Sequence, residues 1–165
     1  MRIYVIGFMG SGKTFWGKKW ASQLGFPFID LDDLIVQSEG MSINEIFEKK
    51  GEAQFRLLEA EALRNTANLK TAIIACGGGT PCFGNNMNWM SENGKSIFIQ
   101  ATPDELLPNL SNELSQRPLL KRINTEKMKV YIEEKLEERN SYYLQAHHIL
   151  PYHLLTIHSL DFLFN

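Results

Sequence analysis

Residues 7 to 14 read Gly-Phe-Met-Gly-Ser-Gly-Lys-Thr, which is a complete G-x-x-x-x-G-K-[ST] phosphate-binding loop. The segment before it, Arg2 to Ile6, is apolar and β-branched and predicts a strand, whereas Lys13 to Leu24 has apolar residues at helical spacing. A glycine loop between a strand and a helix start directs backbone N–H groups at an anion. An unliganded glycine turn is the alternative, and the complete motif with both flanks disfavours it. The loop therefore predicts binding of a nucleoside triphosphate.

The composition is typical of one globular domain, residues 1–165, with 44% hydrophobic and 22% charged residues. A net charge of −2 gives no basic field for nucleic acid, and no apolar run approaches membrane-spanning length. The two cysteines, Cys76 and Cys82, are too few for a disulfide framework and poorly spaced for a zinc site, and we expect no signal segment at the N-terminus. We therefore expect a cytoplasmic protein, and a monomer, that binds neither nucleic acid nor membranes.

Strand patterns alternate with helix patterns along the rest of the chain. Further strands are predicted at Phe26 to Asp30, Thr71 to Cys76, Ser96 to Ile99 and after His147. Helices are predicted from Ser42, from Glu52, from Thr102 and from Thr125. This alternation favours an α/β fold with a parallel sheet and right-handed crossovers. The basic segment 116–124 lacks apolar periodicity and is predicted to be a mobile loop.

Two acids follow the second predicted strand. If that strand continues through Asp30-Leu31-Asp32, the carboxylates of Asp30 and Asp32 lie on one side and that of Asp33 points elsewhere. Ligands of an open parallel sheet sit beyond the carboxyl ends of its strands, where the phosphate loop also lies. The pair could then serve a metal ion and an acceptor hydroxyl. The alternatives are a solvated acidic turn or a helix N-cap.

Four further features could contact a ligand. Arg56 lies in an apolar stripe with Glu59 three residues on, which could hold its guanidinium; the alternative is a surface ion pair. Residues 77–79 are three glycines directly after a buried strand, where a ligand could approach the backbone; the alternative is a flexible turn. Arg117 in the basic loop could close on a phosphate, and Arg139 could be a second clamp, although such a residue alone is more often a solvated charge.

Together these motifs closely resemble those of the shikimate kinases, nucleoside-monophosphate-kinase-like enzymes of aromatic amino-acid synthesis. The shared motifs, in order, are the phosphate loop, Asp-Leu-Asp at 30–32, Phe-Arg-Leu-Leu-Glu at 55–59, Gly-Gly-Gly at 77–79, Arg-Pro-Leu-Leu at 117–120 and Glu-Arg-Asn at 138–140. The resemblance implies a P-loop kinase fold, with a five-stranded parallel sheet flanked by helices, substrate-binding helices at about 33–62 and a mobile lid at about 112–124. It also implies transfer of the γ-phosphoryl group of ATP to the 3-hydroxyl of shikimate, with Mg²⁺, in chorismate biosynthesis.

The resemblance assigns a nucleotide side to the site. The residues implied to hold the ATP phosphates are Gly10, Ser11, Gly12, Lys13 and Thr14. Thr14 would also bind Mg²⁺, and Asp30 would assist through a water molecule. Arg117 would be the lid arginine over the phosphates. Before it, where the family usually has basic residues, this chain has Leu-Pro-Asn-Leu-Ser at 107–111.

It also assigns an acceptor side. Asp32 would hold the shikimate hydroxyls and either act as the base or orient the base. The catalytic residues implied by the resemblance are Lys13, Asp32 and Arg117. The other residues implied to bind shikimate do so through forked cations, backbone amides or an aromatic wall, and these are Arg56, Arg139, Gly78, Gly79, Phe47 and Phe55.

Two other functions are considered. A gluconate-type sugar-acid kinase shares the phosphate loop and an acidic strand end, but the Phe-Arg-Leu-Leu-Glu and triple-glycine motifs argue against it. A nucleotide-binding domain without catalysis is disfavoured because the chain retains all the implied charged residues: Lys13, Asp32, Arg56, Arg117 and Arg139.

Overall fold

A computed structural model describes residues 1–115 and 125–164. Its strands are β1 (Arg2–Ile6), β2 (Phe28–Asp30), β3 (Ala72–Ala75), β4 (Lys95–Gln100) and β5 (His148–Pro151). Its α-helices are α1 (Lys13–Leu24), α2 (Leu31–Glu39), α3 (Ile43–Asn65), α4 (Asn86–Asn93), α5 (Pro103–Ser115) and α6 (Thr125–Tyr143). The strands pair in parallel in the order β2-β3-β1-β4-β5. The predicted α/β fold, a five-stranded parallel sheet flanked by helices, is confirmed.

The central strand β1 is buried on both faces. Ile3 and Val5 belong to the apolar cluster that contains Trp20 of α1, whereas Tyr4 and Ile6 belong to the cluster on the other face. Such alternation follows from the two-residue period of a strand, and each buried side chain contributes about 1.5–3 kcal/mol. β1 is therefore firmly held, and so is the start of the phosphate loop that follows it.

The carboxyl ends of three neighbouring strands meet at one edge of the sheet. Ala75, at the end of β3, pairs with Val5 of β1 on one side and with Asp30 of β2 on the other. The phosphate loop, Asp30 and the glycine segment 77–79 therefore leave the sheet side by side, at the edge where parallel α/β folds bind ligands.

Strand β2 does not continue through Asp32, which was the condition for placing the carboxylates of Asp30 and Asp32 on one side of a strand. The strand ends at Asp30, which is the N-cap of α2, and its Oδ1 accepts a hydrogen bond of 3.1 Å from the backbone N–H of Asp32. A capping carboxylate followed by two acids in the first turn favours a helix start, because all three interact well with its positive end. The helix N-cap was the alternative for this segment, and Asp32 consequently lies on a helix.

Helix α3 begins as predicted and bends in the middle. Ser42 and Glu45 form the reciprocal capping box. The sequence predicts two helices separated near Gly51, and the structure confirms the break, since α3 consists of two helical segments joined at a kink where Gly51 has the non-helical angles φ 81° and ψ 170°. Glycine tolerates this backbone conformation because it has no β-carbon. The rings of Phe47 and Phe55, on the two sides of the kink, lie 4.6 Å apart.

Helix α5 continues to Ser115, so positions 112–115 at the start of the predicted lid are helical. The rest of that segment, 116–124 with Arg117, lies outside the described residues. Across 1–115 and 125–164, none of the helices combines the length and the apolar character that crossing a membrane requires.

Candidate active site

The phosphate loop forms a tight turn over the start of α1. Gly10 and Gly12 have φ 79° and 82°, and Gly12 is the N-cap of the helix. These left-handed conformations are accessible to glycine, and they leave the first N–H groups of the helix directed outward. Lys13 Nζ donates a hydrogen bond of 2.8 Å to the carbonyl oxygen of Phe8. The loop thus gathers helix N–H groups and an ammonium group around one concave surface, as an anion site requires.

Beside the loop, two oxygen-bearing side chains meet. The Thr14 hydroxyl donates a hydrogen bond of 2.9 Å to Oδ2 of Asp30. Hydroxyl and carboxylate oxygens are ligands that Mg²⁺ prefers. Within the described residues no three His, Cys, Asp or Glu side chains cluster as a metal cage. The donor set therefore fits a Mg²⁺ ion that takes most of its ligands from phosphate and water.

Asp32, in the first turn of α2, lies near the start of the glycine segment, since a β-carbon placed on Gly77 would be 3.5 Å from its Oδ1. Its pKa is raised to about 6, mainly by burial and then by the negative charges of Asp30 and Glu59, while Lys13 opposes the shift. The carboxylate is therefore largely ionised at neutral pH and is more basic than an ordinary aspartate. This is the property expected of a group that accepts a proton or a hydrogen bond from a hydroxyl.

Arg56 is held by acids and aromatic rings. Its Nη1 donates to Oε2 of Glu59 at 2.9 Å, and its Nη2 donates to Glu52 at 3.3 Å. Glu59 is only 1% exposed, so the pair is not the surface ion pair that the sequence left open. The guanidinium carbon lies 4.1 Å from the ring centre of Phe83 and 5.2 Å from that of Phe55. The arginine is therefore fixed in one place.

The glycine segment runs between two arginines. A β-carbon placed on Gly79 would lie 2.7 Å from Arg56 Nη2, and one on Gly78 would lie 3.3 Å from Arg139 Nη1. Tyr143 holds the segment by donating to the Gly78 carbonyl at 2.6 Å. Among the described residues, Arg56 Nε and Arg139 Nη1 are buried without a hydrogen-bond partner. Two guanidinium groups with unused donors on either side of an open backbone suit a small anion such as a carboxylate.

A cleft of about 890 Å³ adjoins the phosphate loop. The residues that line it are Gly10, Gly12, Lys13, Thr14, Phe15, Trp16, Lys18, Asn109, Asn112, Tyr152 and His153. Asn109 Nδ2 donates to the Gly10 carbonyl at 2.8 Å and lies 3.1 Å from the Tyr152 hydroxyl. Asn109 and Tyr152 were missed at the level of sequence, since one asparagine in a helix and one tyrosine in a tail carry no motif.

The sequence-predicted residues fall into two neighbouring groups. The phosphate loop, with Lys13 and Thr14, lies beside Asp30 and Asp32. Arg56 and Arg139 lie on the two sides of the glycine segment, which contains Gly78 and Gly79. The rings of Phe47 and Phe55 on α3 contact each other at an interplanar angle of 35°. Arg117 lies outside the described residues. Asp33, predicted to point away, is exposed.

Comparisons with known proteins agree on one family. A family model described as shikimate kinase matches residues 9–155. The shikimate kinase of Bacteroides thetaiotaomicron is 40% identical over 149 residues, which cover 90% of this chain and 85% of the relative. That of Caldanaerobacter subterraneus is 45% identical over 141 residues, covering 86% of this chain and 80% of the relative.

Solved structures show the same similarity in three dimensions. The crystal structure of shikimate kinase from Bacteroides thetaiotaomicron superimposes with a TM-score of 0.92 at 36% identity, covering 100% of this chain and 99% of that one. Shikimate kinase from Acinetobacter baumannii in complex with shikimate gives a TM-score of 0.79 at 31% identity, covering 90% and 82% of the two chains. This chain belongs to the shikimate kinase family.

Proposed function

We propose that this chain transfers the γ-phosphoryl group of ATP to the 3-hydroxyl of shikimate, giving shikimate 3-phosphate and ADP. The observation that carries the proposal is the position of the Gly78–Gly79 backbone between Arg56 and Arg139, next to the phosphate loop. Shikimate is a ring with one carboxylate and several hydroxyls. Two guanidinium groups suit the carboxylate, and Asp32 suits a hydroxyl.

On the nucleotide side, the backbone N–H groups of residues 10–14 and the Lys13 ammonium bind the phosphates. In phosphoryl transfer, negative charge spreads over the transferring group and the leaving oxygen, so cations placed there lower the barrier. Arg117 is proposed to close over the same phosphates as part of a lid. A single kinase domain supplies all these groups.

Thr14 and Asp30 are the residues that would hold Mg²⁺, Thr14 directly and Asp30 through water. The Thr14 hydroxyl donates a hydrogen bond to Asp30, so the lone pairs of the Thr14 oxygen remain available to a cation. A Mg²⁺ ion held there with ATP would supply positive charge to neutralise the phosphate oxygens.

On the acceptor side, each group has one task. Asp32 accepts the hydrogen bond of the attacking hydroxyl and takes or orients its proton. Arg56 and Arg139 grip the carboxylate, and the amides of Gly78 and Gly79 bind ring hydroxyls. The paired rings of Phe47 and Phe55 form a wall for the shikimate ring. These contacts hold the nucleophile in line with the γ-phosphoryl group, which is the main contribution that a kinase makes.

A coupled assay of ADP release tests the proposal. Shikimate should be phosphorylated, while gluconate and a reaction without acceptor should give only background rates. Lys13→Ala, with an unchanged circular dichroism spectrum, should lower turnover by orders of magnitude because the ammonium acts on the transition state. Turnover with gluconate alone would favour the sugar-acid kinase, and turnover with no acceptor substrate would contradict kinase activity altogether.

We further infer a cytoplasmic monomer. Both cysteines are free, with Cys76 buried and Cys82 partly buried, which suits a reducing compartment. Light scattering on a sizing column tests the monomer, and a mass of about twice 18.9 kDa would contradict it.

A further inference from the structure

Thr80 follows the glycine segment and is fully buried. Its hydroxyl donates a hydrogen bond of 2.6 Å to Oε1 of Glu59, whose other oxygen, Oε2, accepts from Arg56. The two oxygens of one buried carboxylate are thus divided between a threonine and the arginine that faces the acceptor. None of the sequence motifs includes Thr80.

The backbone of Thr80 is itself held by a buried asparagine. Its carbonyl oxygen accepts a hydrogen bond of 2.9 Å from Nδ2 of Asn86, which is also fully buried. The Asn86 side-chain oxygen accepts from Arg64, and Arg64 Nη2 donates to the Gly84 carbonyl at 2.9 Å. A continuous series of hydrogen bonds therefore runs from Arg64 through Asn86, Thr80 and Glu59 to Arg56.

The burial of Glu59 makes the Thr80 hydroxyl consequential. A buried carboxylate must have its oxygens satisfied, and hydrogen bonds to charged groups are among the stronger ones in proteins. Without the hydroxyl, Oε1 would lose the hydrogen bond that Thr80 donates to it. The carboxylate would then turn toward its remaining donor, Arg56, and draw the guanidinium away from the acceptor.

We propose that Thr80 is a positioning residue for the acceptor carboxylate, acting through Glu59 to fix the direction in which Arg56 presents its free N–H groups. This inference rests on the proposed function, because it assigns Arg56 to the shikimate carboxylate. Thr80 contacts neither the nucleotide cleft nor Asp32 through any hydrogen bond in the described residues. Its loss should therefore act on acceptor binding and spare ATP.

The test compares three variants in steady-state kinetics. Thr80→Val keeps the shape and removes the hydroxyl, whereas Thr80→Ser keeps the hydroxyl. Thr66→Val is the matched control: Thr66 is also buried and also uses its hydroxyl, to the Leu63 carbonyl at 2.6 Å. It lies ten residues beyond Arg56, about 15 Å along the helix direction.

Thr80→Val should raise the KM for shikimate roughly ten-fold and leave the KM for ATP within about two-fold of wild type. Thr80→Ser should restore most of the shikimate affinity. Thr66→Val should lower the melting temperature as Thr80→Val does and leave both KM values unchanged. A wild-type KM for shikimate in Thr80→Val would overturn the proposal. So would an equal rise of this KM in Thr80→Val and Thr66→Val, because the effect would then follow the loss of stability.

A second measurement does not depend on shikimate turnover. Nitrogen-15 relaxation of the Arg56 side-chain Nε–H, in protein without substrate, should show a more mobile guanidinium in Thr80→Val than in wild type, Thr80→Ser or Thr66→Val. Unchanged Arg56 order would contradict the positioning role even in an active enzyme. Wild-type protein that fails to phosphorylate shikimate while Arg56 loosens in Thr80→Val would instead refute the proposed function and leave the positioning role standing.

Discussion

The hydroxyl of Thr14, in the first turn of α1, donates a hydrogen bond of 2.9 Å to Oδ2 of Asp30, the last residue of β2. This bond joins the phosphate loop to the end of strand β2, although the two residues are 16 positions apart. Asp30 uses its other oxygen to cap α2 through the N–H of Asp32. One carboxylate therefore orients the hydroxyl that we propose as a Mg²⁺ ligand and caps the helix that carries Asp32.

The Thr14–Asp30 pair predicts a specific magnesium phenotype. Asp30→Asn keeps an oxygen that can cap α2, so the fold should persist, but it removes the negative charge next to the cation. We expect the Mg²⁺ concentration for half-maximal activity to rise roughly ten-fold, with little change in melting temperature. Titration of Mg²⁺ at saturating ATP measures this. Asp33→Asn, at an exposed neighbouring position, is the control, and an equal shift in both variants would argue against a site at Asp30.

Asp32 predicts a stability that depends on pH. Its folded pKa of about 6 lies above the usual value of 3.8, so the folded protein binds a proton more readily than the unfolded chain. Ionising Asp32 therefore opposes folding; this penalty vanishes below the unfolded pKa, grows as pH rises and is complete above the folded pKa. Two pKa units correspond to about 3 kcal/mol at most.

Asp32→Asn should therefore be more stable than wild type at pH of about 8, by up to about 3 kcal/mol, and by roughly half as much at pH of about 5. Its turnover should collapse while ATP still binds, because the substitution removes the carboxylate that we propose takes or orients the proton of the attacking hydroxyl. Urea unfolding at the two pH values measures the first effect. A variant that is less stable than wild type at both would show that the buried carboxylate helps folding.

The sheet and the phosphate loop were predictable from sequence because each depends on local patterns. The period of two in β1 and the complete motif at residues 7–14 require no knowledge of distant residues. The position of Asp32 was not predictable in this way. Whether a strand continues beyond Asp30 or a helix starts there depends on which backbone group the Asp30 carboxylate binds. The same residues are compatible with both conformations, so the sequence does not distinguish them.

Contacts between distant segments account for the remaining differences. Glu59 was predicted to hold Arg56 because the two are three residues apart on a helix. Its second partner, Thr80, is 21 positions away, and no local pattern joins them. The same holds for Asn109 and Gly10, which are 99 positions apart. Such pairs follow from the fold and could be identified only after the strand order was known.

Substitution of Asn109 should change the KM for ATP and not the KM for shikimate. Its side chain ties α5 to the Gly10 carbonyl of the phosphate loop. Asn109→Ala should raise the KM for ATP roughly two- to ten-fold, the range of one neutral hydrogen bond, and leave the KM for shikimate unchanged. Tyr152→Phe removes only the hydroxyl near Asn109 and should have a smaller effect. A change in the KM for shikimate without one for ATP would contradict this anchoring role.

Arg139 and Arg56 provide the sharpest test of the acceptor site, because they approach the glycine segment from two different helices. Each charge-assisted hydrogen bond is worth about 1.5–3 kcal/mol, so Arg56→Ala or Arg139→Ala should weaken shikimate binding roughly ten- to a hundredfold and spare ATP. Arg56→Lys should also be harmful, since an ammonium group lacks the planar fork. Lys135→Ala is the control, because Lys135 lies one turn before Arg139 and pairs with Glu138 near the surface.

A shikimate analogue without the carboxylate separates this explanation from a general disturbance of the site. It should bind wild type poorly and be nearly indifferent to Arg56→Ala or Arg139→Ala, because the group that the arginines grip is missing. Isothermal titration calorimetry of both ligands against wild type and the two variants completes a thermodynamic cycle. If the variants weaken the analogue as much as they weaken shikimate, or raise the KM for ATP instead, the arginines do not bind the carboxylate and the acceptor lies elsewhere.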